Sequence, residues 1–114
     1  MKEKIKLMAD YGCYPLWWVS SEKMGDIDPE TLPLSQQTIS RLEKWAEMYD
    51  AKLNEDEPAL SSFSTNEEQE SFEEEGINLW KQLKQELAIN YEVVYFSEKL
   101  GKIIANPNEL KVLR

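Results

Sequence analysis

Two apolar stripes at helical spacing, set between segments that alternate like strands, constrain this chain more than any other feature. Ile39, Leu42, Trp45, Ala46, Tyr49 and Leu53 recur at three and four, the period of a helix that buries one side. Ser35 is the expected N-cap. Leu34 before it and Ile39 at the fourth helical position have hydrophobic-staple spacing. The first helix is therefore expected from about 36 to 52 or 53. Phe72, Leu79, Trp80, Leu83 and Leu87 form the second stripe. Thr65 with Glu68 three residues on reads as its capping box, and early carboxylates suit the positive end of a helix. That helix is expected from 65 to about 88–90. Gly76 falls on the same stripe at a propensity cost of roughly 1 kcal/mol against Ala, so a close backbone approach is expected there.

The flanks read as strands. Lys4 to Asp10 alternates apolar and polar residues, with Met8 the exception. Tyr91 to Phe96 is β-branched and aromatic on both faces, the pattern of a buried strand. Gly12 and Pro15 make 11–18 an irregular or edge segment, with a short strand at 17–20. Residues 24–33, rich in Gly, Pro and Asp, read as a connecting loop. After a turn at 99–102, residues 103–105 return as a hairpin partner, and 110–113 add a short last strand. Each helix has one apolar side and the sheet must bury a face. The economical solution is a single α+β domain over residues 1–114, two layers, with both long helices on one face of a small sheet. Ile39, Leu42, Trp45, Leu79, Leu83, Leu87, Val93 and Tyr95 should be inside.

Charge is the second constraint. Between Asn54 and Trp80 stand nine carboxylates and no Lys or Arg, while the rest of the chain is balanced; the formal charge of -9 is one local block. Such a block repels nucleic acid and anionic membrane and steers basic surfaces toward itself. The simplest reading is a solvated loop and helix side. Two details favour a partner. Glu68, Glu70, Glu73, Glu74 and Glu75 have no Lys four residues on, and Glu70 and Glu74 form a like-charge pair at helical spacing, which costs a few tenths of a kcal/mol. The expected contact residues are Glu55, Asp56 and Glu57 in the loop, Glu67, Glu70 and Glu74 on the helix, and Trp17 or Trp18 as an uncharged anchor, because Trp and Tyr dominate interface hot spots. Tyr11, Tyr14, Trp17 and Trp18 read equally well as rings capping the core. Adjacent tryptophans in a strand face opposite sides, so one of the two is expected inside and the other outside.

Missing residue types exclude much chemistry. The chain has no His and one Cys, Cys13. Ser-His and Cys-His catalysis, His-ligated zinc, thiolate zinc and iron–sulfur sites are out of reach. Asp26 and Asp28 lie in a Gly-Asp-x-Asp stretch that lacks the further oxygen ligands and closing Glu of a calcium loop. There is no Gly-rich phosphate loop. No catalytic residue, cofactor or metal is expected. A lone cysteine fits a reducing cytosol, and neither a leader pattern nor a membrane-length apolar run is present, so a cytoplasmic protein is expected.

Four stretches together, KLMADYGCYPLW, GDIDPETLPLS, LEKWAEMYDAKLN and INYEVVYF, resemble small acidic immunity proteins of bacterial contact-dependent growth inhibition and related polymorphic toxin systems. The resemblance spans most of Lys6 to Phe96, and residues 97–114 lie outside it. It implies an antitoxin that binds one cognate toxin domain, often a nuclease, and it lends no catalytic residue. A toxin nuclease presents a basic groove for phosphates, which an acidic partner can cover without chemistry of its own. The other reading from the residues is a stand-alone acidic adaptor or nucleic-acid mimic acting on a basic host protein.

Overall fold

A computed structural model describes residues 3–19, 23, 25–50, 66–97 and 100–106. In chain order the elements are β1 (Glu3–Leu7), β2 (Leu16–Trp18), β3 (Asp26–Ile27), a 3-10 turn (Pro29–Thr31), α1 (Gln36–Asp50), α2 (Asn66–Glu86), β4 (Tyr91–Ser97) and β5 (Lys102–Ile104). The five strands form one sheet in the order β3-β2-β1-β4-β5. β1 and β4 pair in parallel, Ile5 beside Val93 and Leu7 beside Tyr95; the other pairs are antiparallel. Parallel neighbours need a long crossover, and the two helices lie within it.

Both helices cover one face, the expected two-layer α+β arrangement. Alternation along the strands turns Ile5, Leu7, Leu16, Ile27, Val93, Tyr95 and Ile104 toward them, and all are buried in one cluster with Leu42, Trp45, Phe72, Leu79, Trp80, Leu83 and Leu87. Trp45 stacks on Phe72, 4.5 Å between centroids and 7° between planes, and its indole N–H donates to the Phe72 carbonyl. The Trp80 N–H donates to the Val93 carbonyl at 2.8 Å and its ring stacks on Tyr95. Two buried indoles thus fill space and bond backbone carbonyls at once, which is what makes a buried Trp tolerable. All eight residues expected inside are buried.

Ser35 caps α1 as expected: its Oγ accepts from the Thr38 N–H. A capping box would draw its carboxylate from three residues on, where α1 has Thr38. Glu86, at the end of α2, takes that place from 51 residues away, accepting from the Ser35 N–H and the Thr38 hydroxyl. At its other end α1 holds the β1–β2 connection. The Gly12 N–H donates to Asp50, and Tyr11 packs on Tyr49 at 4.6 Å. Gly12 has φ 69°, which a residue with a Cβ rarely adopts.

The segment 24–33 departs from the expected plain loop. Asp26 accepts from the Tyr14 N–H, which draws 26–27 alongside β2, and Ile27 enters the core. Asp28 then accepts from the Glu30 N–H and starts the 3-10 turn, with Pro29 first in it. With β3 outside it, β2 is an interior strand, and Pro15, expected to mark an edge, sits just ahead of it. β1 is shorter than the expected strand: it ends at Leu7, before the turn at Asp10–Cys13. The expected cap at Thr65, the acidic loop 54–64 and the last strand at 110–113 lie outside the described residues.

Candidate partner-binding surfaces

A helix turns about 100° per residue, so a carboxylate run cannot stay on one side. Glu67, Glu70 and Glu74, spaced three and four, are exposed together on the solvent side of α2. Glu73 points the other way. It is buried, and its carboxylate accepts from the Tyr95 hydroxyl and, at 2.5 Å, from the Ser97 hydroxyl. Ser97 in turn accepts from the Leu100 N–H, so this carboxylate ties the β4–β5 turn to α2. Glu75 lies toward α1, where Arg41 donates to it at 3.0 Å. The expectation that these glutamates go uncompensated for want of a nearby lysine is therefore corrected for two of them. Their partners come from β4 and α1, not from the next turn of their own helix. Glu70 and Glu74 remain side by side at the surface. Glu55, Asp56 and Glu57 lie outside the described residues.

Trp17 and Trp18 diverge as strand geometry requires. Trp18 pairs with Ile5 and faces the helical layer, half-buried against the core, 6.4 Å from the Tyr91 ring and with the Lys23 ammonium 4.4 Å above it. Trp17 pairs with Lys6 and faces the other side of the sheet, its indole N–H donating to the Met8 carbonyl at 2.9 Å. It too is half-buried, so neither ring is simply inside or outside.

The expected contact residues do not form one patch. Glu73 meets β4 at Ser97 and Trp80 meets it at Val93, so α2 runs antiparallel to β4 and its acidic start lies beyond the Ser97 end. Trp18 stands at the Tyr91 end. Six strand residues at about 3.3 Å each separate those ends by roughly 20 Å. Trp17 is on the opposite face altogether. Among the described residues Leu100 is an exposed apolar side chain on the turn that Glu73 holds to α2. Residue types did not single it out, because its position depends on the Glu73–Ser97 bond.

Other candidate groups serve the fold. Asp26 and Asp28 both bind backbone N–H groups. Among the described residues no group of three or more acidic or thiol side chains is arranged to hold a metal ion, and no buried side-chain polar atom lacks a partner. Partial burial, together with the carboxylates of Asp10, Asp26 and Asp50, pushes the Cys13 thiol up, away from the reactive thiolate. Asp28 chiefly, with Asp26 and Glu30 adding to it, pushes the exposed Tyr14 phenol up as well. No helix among the described residues is long and apolar enough to cross a membrane.

A family model described as Serratia CdiI immunity protein-like matches residues 3–98. The match runs from the first residue of β1 to just past the end of β4 and takes in all four stretches that carry the resemblance in sequence. No curated protein matches the chain.

Proposed function

The chain belongs to the Serratia CdiI immunity protein-like family, and from that premise we propose that it neutralises one cognate toxin domain by binding it and covering its active site. In this reading the toxin is a basic protein, a nuclease whose phosphate-binding groove supplies the basic surface, and the acidic side of α2 is the surface that meets it. The observation that supports this is the joint exposure of Glu67, Glu70 and Glu74 within a stretch that has no lysine or arginine. Glu55, Asp56 and Glu57 extend the same charge along the sequence. Occlusion requires no turnover, and the chain acts in the cytoplasm.

Exposed ion pairs are each worth about 0–1 kcal/mol, so the carboxylates act mainly on the rate of encounter, which depends on salt. Uncharged contacts must hold the complex. Leu100 is placed to serve beside α2. Trp18 stands roughly 20 Å from that side along β4, within the span of an ordinary interface, whereas Trp17 is on the opposite face of the sheet.

The test is a chain carrying Glu67→Gln, Glu70→Gln and Glu74→Gln, measured for association with the cognate toxin at two salt concentrations. Slower association, a flatter salt dependence and weaker protection of toxin-expressing cells are expected. Unchanged values in all three would leave the acidic side as solvated surface only.

A further inference from the structure

β5 is an outermost strand of the sheet, and among the described residues no strand pairs with its far side. Residues 100–106 are all exposed except Ile104, which turns into the core. Ile103 is 50% exposed on the side of the sheet away from the helices. A strand in this position presents every second N–H and C=O outward, a template for one more strand. The opposite edge offers less: β3 is two residues long, and its Asp26 carboxylate already holds the Tyr14 N–H. The β5 edge also has a charged flank above it. Phe72 and Glu75 mark the side of α2 that meets α1, and Glu73 meets Ser97 of β4. At about 100° per residue, Glu70 stands roughly opposite Phe72 and Glu75, with Glu74 beside it. Both are exposed, on the side of α2 that overhangs β5.

Resting on the toxin reading above, we propose that an extended segment of the toxin adds to this edge as a further strand beside β5, beneath the acidic side of α2. Main-chain bonds to β5 hold the segment, and side chains on alternate residues select it. They supply the contacts that exposed ion pairs do not. The residue beside Ile104 faces the helical layer. A Lys or Arg there lays its stem along the apolar flank and lifts its charge to Glu70 or Glu74. The residue beside Ile103 faces the other way and is apolar. The one beside Lys102 is not basic, because like charges on neighbouring strands repel. Charge also sets a second copy of the chain aside. Two β5 strands paired antiparallel would bring the acidic flanks of two α2 helices face to face on one side of the joined sheet, in a chain of net charge -9.

Amide hydrogen exchange of the full-length chain, alone and bound to the cognate toxin domain, reads the edge without any mutation. An outward amide within 102–104 should exchange about tenfold or more slowly in the complex, while the amides of β3 should not change. Ile103→Ser should speed dissociation of the complex about tenfold, the scale of a half-exposed apolar side chain buried on contact. It should leave the association rate and the native near-ultraviolet circular dichroism as they are, whereas Glu→Gln at 67, 70 and 74 slows association. A toxin complex whose β5 amides exchange as in the free chain, or an Ile103→Ser complex that dissociates at the wild-type rate, overturns the proposal and leaves the toxin reading standing. Protection of the same amides in the free chain, with a mass of twice 13.4 kDa in light scattering, assigns the edge to a second copy and overturns it equally. A chain that does not associate with the toxin overturns both.

Discussion

Gly76 of α2 lies so close to Tyr95 of β4 that a Cβ on it would stand 2.6 Å from the phenolic oxygen and 2.9 Å from Cζ2 of Trp45. The glycine therefore sets how near α2 comes to the sheet. The phenol has little room to yield, because its hydroxyl is bonded to Glu73 and its ring is packed by Trp80. Gly76→Ala gains roughly 1 kcal/mol of helix propensity against about 1–3 kcal/mol of overpacking. A net loss of up to about 2 kcal/mol is expected in denaturant unfolding. Adding Tyr95→Phe should recover part of it as a coupling between the two sites. A more stable Gly76→Ala would show that the helix can move off the sheet freely.

Glu73 is the carboxylate of the acidic stretch whose loss should be felt in the fold. Glu73→Ala leaves two buried hydroxyls without their acceptor, about 1–3 kcal/mol for each such group. Glu73→Gln keeps an acceptor oxygen and offers a donor to a hydroxyl that can rotate, so its loss should be smaller. Thermal unfolding of both variants beside Glu74→Gln, expected to be near neutral, separates the buried carboxylate from its exposed neighbour. Equal effects at 73 and 74 would contradict the buried network.

Trp45 joins both layers through its stacking on Phe72 and its contact with Tyr95. Trp45→Ala should cost about 3–5 kcal/mol. Trp45→Phe keeps a ring but drops the bond to the Phe72 carbonyl and should cost less. Urea midpoints at constant slope check both.

Glu86 links stability to pH. Burial opposes its ionisation, but bonds from the Thr38 hydroxyl, the Ser35 N–H and the Gln82 amide outweigh that and hold its carboxyl below the usual range. A carboxylate depressed in the folded state contributes stability that is present above its unfolded pKa and lost as pH falls through its folded pKa. Acid unfolding of Glu86→Gln should therefore show a smaller loss of stability than the wild type below the ordinary Glu range, measured as midpoint against pH. An identical acid limb in both chains would remove Glu86 from the linkage.

Much of the architecture is legible along the chain. The α1 cap at Ser35, the two buried stripes, the close approach at Gly76 and the strand at Tyr91 all follow from rules that act over three or four residues. β3 was not legible, because its two residues pair only once Asp26 captures the Tyr14 N–H. Nor was the role of Glu86, which bonds the N-cap Ser35 from 51 residues away.

The sequence alone determined that this chain is an α+β domain with one acidic stretch, no imidazole and one thiol, and it carried the family resemblance in short stretches of residues. Those are properties of composition and local period, which survive without knowledge of what touches what. Only the tertiary structure decided how the carboxylates divide. Helical rotation turned Glu73 inward and Glu75 toward α1, and packing supplied Tyr95, Ser97 and Arg41 as their partners. The same structure set Trp17 and Trp18 on opposite faces of the sheet, away from Glu67, Glu70 and Glu74. Nearness in sequence carries no information about which layer a residue faces once two helices cover one side of a sheet.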